Sequence, residues 1–209
     1  MVEVAIKTNT HFNIITMATH MNEYIQEIEN LVDYKVEVET MGDAPDIIRF
    51  YNQYDEENNG VYNLRLKKII LEDKGSISDI KYNSEFDLIE YYNFKGNGKV
   101  WINRQGEMII KNAEIIKVLS FGCYHIEMEE ENSDKTFISK NKYIYCSDPD
   151  YFTEGSTSFN KFILRKVEEV TPNEAGDLLL VQTQEYNINK IGVFHLKNLT
   201  WIHELKEMN

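Results

Sequence analysis

Tyr34-Lys35-Val36-Glu37-Val38-Glu39 is where the chain changes its period. Val36 and Val38 fall on one side of an extended backbone and Lys35, Glu37 and Glu39 on the other, the alternation of a half-buried strand. Upstream the spacing is helical. Ile14, Met17, Ala18, Met21, Ile25, Ile28 and Val32 recur every three or four residues, predicting one amphipathic helix over about residues 13–33 with an apolar stripe. Asp33 ends that stripe.

Downstream, Met41-Gly42-Asp43-Ala44-Pro45-Asp46 reads as a turn, residues 47–54 as a second strand, the polar cluster 55–60 as a connection and residues 61–71 as a third strand. Connections this short allow hairpins but not parallel crossovers, so the helix is expected to lie on an antiparallel meander. Ser84-Glu85-Phe86-Asp87 has the pattern of a helix start and predicts a short helix to Tyr92, although residues 86–94 would also pass as an aromatic strand.

Gly96-Asn97-Gly98 marks the expected boundary between a helix-plus-sheet lobe, residues 1–95, and a β-rich lobe, residues 96–209; a single domain is the alternative. Beyond it every apolar run is short and bounded by turn residues, which predicts a small barrel or sandwich. Residues 137–144 and 194–201 share a Phe-x-x-Lys-Asn core, the layout of a closing corner in SH3-like barrels, or a chance likeness between two hairpins. The fold class is therefore read as α+β, with an SH3-like barrel as one form open to the second lobe.

The 209 residues include 35 acidic and 22 basic ones, a net charge of −13 that favours solubility and repels phosphate backbones and anionic lipid. Nucleic-acid binding is thus disfavoured, and Lys161, Arg165 and Lys166 are the nearest thing to a basic stripe. No apolar run approaches the roughly 20 residues that span a bilayer, and no secretory signal pattern is seen. A cytoplasmic protein, or one within a virion assembled there, is expected. Cys123 and Cys146 sit in no Cys-x-x-Cys pattern and read as two buried thiols, with facing positions on neighbouring strands as the alternative.

No phosphate loop, nucleophile elbow or zinc-protease motif occurs, so no catalytic, metal or cofactor-binding residue is assigned. His20, Glu23 and Glu27 share one helix face, which reads as its solvent side. Cys123 and His125 share a strand face, but same-face strand neighbours sit too far apart for a thiolate–imidazole bond. Two segments are candidates for partner binding. One is the acidic run Glu127, Glu129, Glu130, Glu131 and Asp134, read as a hairpin tip. The other is the irregular stretch 147–158, where Tyr151 and Phe152 could meet a partner and Asp148, Asp150 and Glu154 a hard cation.

These features together point to a non-catalytic protein-interaction component, of the kind a phage or mobile element uses for assembly or accessory roles. An acidic inhibitor or immunity-type protein that blocks a basic site with the acidic run is the alternative. A metal-dependent hydrolase using Asp148 and Asp150 is the third.

Overall fold

A computed structural model describes residues 21–42, 44–73, 75–96, 98–131, 138–147 and 162–208. Among them are one helix, α1 (residues 21–32), and sixteen strands in four antiparallel sheets of four. Within each sheet the strands lie in chain order, so every sheet is a meander built only from hairpins. The first holds β1 (Val36–Met41), β2 (Ala44–Asn52), β3 (Asp55–Asn63) and β4 (Lys68–Glu72); the second β5 (Ile77–Asn83), β6 (Leu88–Asn93), β7 (Gly98–Ile102) and β8 (Met108–Lys111). The third holds β9 (Ala113–Val118), β10 (Cys123–Glu131), β11 (Ile138–Cys146) and β12 (Phe162–Arg165); the fourth β13 (Val167–Pro172), β14 (Leu178–Glu185), β15 (Ile188–His195) and β16 (Thr200–Glu207).

The described residues fall into two compact units, one within Met1–Gly96 and Trp101–Met108, the other within Asn97–Val100 and Ile109–Asn209. In the first, α1 lies on the first sheet as the alternation at Val36 requires. Ile28, Val36, Ile48, Phe50 and Tyr62 form the core between them, with Met21, Tyr24, Ile25 and Val32 packed against it. Asp33 closes the helix at a φ of 61°, its N–H donating to the Glu29 carbonyl at 3.1 Å, a left-handed cap. The Tyr62 hydroxyl donates to Glu27 Oε2 at 2.9 Å; burial, and then this carboxylate, push the phenol up to about 12. Ile47 and Val61, on the other face of the same sheet, are fully buried as well. The predicted helix start before residue 20 lies outside the described residues.

Four expectations change. Residues 61–71 are not one strand, because the turn 64–67 separates the end of β3 from β4, and residues 44–46, expected in a turn, already belong to β2. Residues 84–92 are not a helix: 84–87 are the turn of a hairpin and Leu88–Asn93 is strand β6. The polar run 55–60 is not a connection but the first part of β3, with Asn59 and Gly60 paired to Tyr51 and Phe50.

One turn design recurs. Asn63, Asn83, Asn93, Asn103 and His195 each stand five residues before the start of the next strand, at Lys68, Leu88, Gly98, Met108 and Thr200. Their side chains accept the N–H groups that the loop leaves over: Asn63 Oδ1 from Arg65 and Leu66 (3.0 and 2.9 Å), Asn83 from Phe86 (3.0 Å), Asn93 from Gly96 (2.8 Å), Asn103 from Gln105 and Glu107 (both 2.9 Å), His195 Nδ1 from Asn198 (3.1 Å). In three of these loops the last residue is left-handed, Lys67, Asp87 and Leu199 at φ 52°, 57° and 53°, which turns the chain back into the ladder. In the first unit Arg104, in such a loop, ties three elements together: its guanidinium bonds Asp46, Asp87 and the Tyr82 hydroxyl, and its carbonyl accepts from Asn63 Nδ2.

Two of the junctions between consecutive sheets are a single residue long. Single left-handed residues, Asn112 (φ 57°) and Lys166 (φ 56°), separate β8 from β9 and β12 from β13. The strands after Gly98 are thus grouped into open four-stranded sheets. The third and fourth share a core of Leu119, Cys123, Ile144 and Cys146 from the one side and Val167, Val170, Leu179, Val181, Phe194 and Leu196 from the other. Lys140-Asn141 lies inside β11 whereas Lys197-Asn198 lies in the β15–β16 turn, so the two Phe-x-x-Lys-Asn stretches play different structural parts.

Candidate interaction surface

The described part of the acidic run lies along a strand. Glu127, Glu129, Glu130 and Glu131 occupy β10, opposite Lys142, Lys140, Ser139 and Ile138 of β11. Lys140 Nζ stands 3.4 Å from Glu127 and 3.9 Å from Glu129. Glu130, on the other face, accepts from Asn141 Nδ2 at 2.9 Å and from the Tyr143 hydroxyl. Burial first, and then Glu130, hold the Tyr143 phenol above its ordinary value. Opposite charges across a ladder neutralise each other. The strand therefore presents less uncompensated negative charge than its sequence suggests. Asp134, Asp148, Asp150, Tyr151, Phe152 and Glu154 lie outside the described residues, as do His20 and Lys161.

Glu27, the other described carboxylate on the helix face considered for metal binding along with Glu23, is engaged by Lys67 Nζ at 2.9 Å and by Tyr62. These bonds, Lys67 before Tyr62, lower its pKa. No group of three or more His, Cys, Asp or Glu side chains among the described residues is placed to hold a metal. His125 is buried, and its Nε2 is spent on the Val167 carbonyl at 3.1 Å, while the Cys123 thiol turns to the Phe121 carbonyl at 3.5 Å. His125 thus ties β10 to β13, while the Cys123 thiol is held by the turn that precedes β10.

A surface that sequence reasoning passed over is the outer face of the fourth sheet. On its inner face, Leu179 pairs with Phe194 and Val181 with Gly192, all buried; Trp201 lies opposite Phe194 with the rings edge to face at 5.2 Å. Gly192 is required there, because a Cβ would meet Trp201 Cζ3 and the His203 carbonyl, each at 2.8 Å. The alternate residues point away. Thr171, Leu180, Val193 and His203 form one row across all four strands, flanked by the pairs Leu178–His195 and Gln182–Ile191. Leu180 is 39% exposed, and Leu178, Ile191 and Val193 are half-buried. Ile202, which the shift between Val193↔His203 and Phe194↔Trp201 leaves opposite nothing, is 48% exposed. Nothing in the local sequence marks this face, since Leu178-Leu179-Leu180-Val181 reads as a strand buried on both sides.

The edge at β16, the last strand of this sheet among the described residues, is differently made. β16 carries His203, Glu204, Lys206 and Glu207, and is interrupted by the bulge at Ile202, features that discourage pairing with another strand.

No protein-family model matches this chain, and no curated protein does. Among solved structures it is similar to the β-propeller domain of the Trilobed protease from Pyrococcus furiosus, described as having an open velcro topology. That match has 14% identity and a TM-score of 0.31, covering 83% of this chain and 43% of that one. It is also similar to KlHsv2 with loop 6CD replaced by a Gly-Ser linker (14% identity, TM-score 0.23, 81% of this chain and 64% of that one) and to a eukaryotic initiation factor (14%, 0.29, 81% and 44%). The chain spans less than two thirds of the length of each. No helix among the described residues is long and apolar enough to cross a membrane.

Proposed function

We propose that this chain is a non-catalytic protein-interaction component, acting in an assembly or accessory role, and that its partner docks on the outer face of the β13–β16 sheet. One observation carries the reading: the inner face of that sheet is fully packed while its outer face offers Leu178, Leu180, Ile191, Val193 and Ile202, half-buried or exposed, beside His195 and His203. Aliphatic side chains on a pleated surface suit a partner that is itself apolar and flat, another sheet above all, because sheets pack face to face through interdigitating side chains. The charged, bulged edge of β16 argues for face packing over strand addition. The acidic strand ranks below this face because Lys140 is shared by Glu127 and Glu129 and Glu130 is already held by Asn141 and Tyr143.

Candidate partners titrated against the chain, with complexes resolved by native mass spectrometry, test the reading. Leu180→Glu and Val193→Glu are expected to abolish the complex while leaving the far-ultraviolet circular dichroism of the free chain unchanged. A chain that stays monomeric with every candidate and turns over a substrate would sink it. Binding that survives both substitutions but is lost on changing Glu127, Glu129 and Glu130 to Gln would move the site to β10.

A further inference from the structure

We infer that Cys123 and Cys146 are a redox-active pair, built to close into a disulfide across β10 and β11. The two residues are directly opposite each other in the antiparallel register. The next pair outward, Gly122 and Ser147, is hydrogen-bonded, with Ser147 N–H donating to the Gly122 carbonyl at 2.9 Å. Because bonded and non-bonded pairs alternate along an antiparallel ladder, Cys123 and Cys146 occupy a non-bonded position, where Cα atoms approach to about 4.5 Å and the side chains lie closest. Cys123 confirms it from its other side: its carbonyl accepts from Leu119 N at 2.8 Å and its N–H donates to the Ser120 carbonyl at 3.3 Å, so its backbone groups face away from β11.

That separation is within the range that disulfides span, about 4.4 to 6.8 Å between Cα atoms, without moving the backbone. The sulfurs also converge. Both thiols reach one acceptor, the Phe121 carbonyl, Cys123 Sγ at 3.5 Å and Cys146 Sγ at 3.7 Å. Both residues are present as thiols and are fully buried in the core shared by the third and fourth sheets, so an encounter with an oxidant requires the end of the β10–β11 ladder to open.

The reaction follows thiol–disulfide exchange. One cysteine, as its thiolate, attacks a low-molecular-weight disulfide, forming a mixed disulfide and releasing one thiol. The second cysteine then displaces the remaining half as a second thiol. Two protein thiols are oxidised, one small disulfide is reduced to two thiols, and the two protons and two electrons are carried away on them. The product ties the open end of the hairpin, where β10 enters and β11 leaves. A cross-link restricts the unfolded chain, so it is expected to stabilise the fold.

The full chain, equilibrated in glutathione buffers from reducing to oxidising, gives the test. The expected product is an intact chain lighter by two hydrogens, with Cys123 and Cys146 linked in the peptide map and a thermal midpoint raised by about 5 °C or more. Dithiothreitol should reverse the change, and Cys123→Ser and Cys146→Ser should each abolish it. Two thiols that still react with alkylating reagent on unfolding after the most oxidising buffer would overturn the inference. Glutathione adducts or disulfide-linked dimers in place of the internal bond would overturn it equally. The mass of the unsubstituted chain decides the matter even if a serine variant fails to fold.

Discussion

At the scale of the residue, His125 is a polar group committed to the interior of the second unit, 3% exposed. Burial holds its pKa below 6.5; the bond to the Val167 carbonyl opposes this, Lys142 and Lys117 add to it, and Glu168 weakly counters them. Neutral imidazole with its proton on Nε2 is the form that donates to Val167. Well above pH 6.5 the ring is neutral in folded and unfolded chains alike and contributes no pH dependence. As pH falls below that value the unfolded chain takes up a proton that the folded chain resists, so stability drops until the lowered folded pKa is reached. His125→Gln keeps a donor and cannot titrate. Its thermal midpoint is expected to fall less than that of the unsubstituted chain between about pH 7 and about pH 5, and parallel declines would assign the acid sensitivity elsewhere.

At the scale of the element, the hairpin loops explain both what was legible and what was not. The strand at residues 36–41 and the helix before it could be read directly, because a change of period from 3.6 to 2 is a local signal. Residues 84–92 could not. Ser84 to Asp87 imitates a helix cap, and only the neighbouring Asn83, whose Oδ1 takes the Phe86 N–H, reveals a turn. The signal lay in the repetition of Tyr-Asn at 62–63, 82–83 and 92–93, each five residues before a strand, together with Ile-Asn at 102–103 and Phe-His at 194–195. The contribution of the Asn should scale with burial. Asn63 is 2% exposed, accepts two N–H groups and donates to the Arg104 carbonyl at 2.9 Å, so Asn63→Ala is expected to cost about 2–3 kcal/mol. Asn93 serves one N–H in an exposed turn, and Asn93→Ala is expected to cost about 1 kcal/mol or less. Urea denaturation at constant m-value measures both, and equal costs would contradict the argument from burial.

At the scale of the whole molecule, the sequence disclosed strand-rich antiparallel character but not its division into four equal sheets, because sheet membership is decided by single left-handed residues such as Asn112 and Lys166 that no apolar pattern announces. Nor could it reveal which faces are covered. The first sheet is buried on both faces, one of them beneath α1; the fourth is buried on one only, among the described residues. That asymmetry has an energetic signature in the free chain. Ile28 is fully buried between α1 and the first sheet, and Ile28→Ala is expected to cost about 2–4 kcal/mol through lost transfer energy and the cavity left behind. Leu180, 39% exposed, has solvent where Ile28 has neighbours, so Leu180→Ala is expected to cost less than about 1 kcal/mol. Its main effect should appear only with a partner present, as weakened association. If urea denaturation of the free chain gave the two substitutions comparable costs, the outer face of the fourth sheet would already be covered in the folded protein. The docking proposal would then fail on thermodynamic grounds, whatever partner was offered to it.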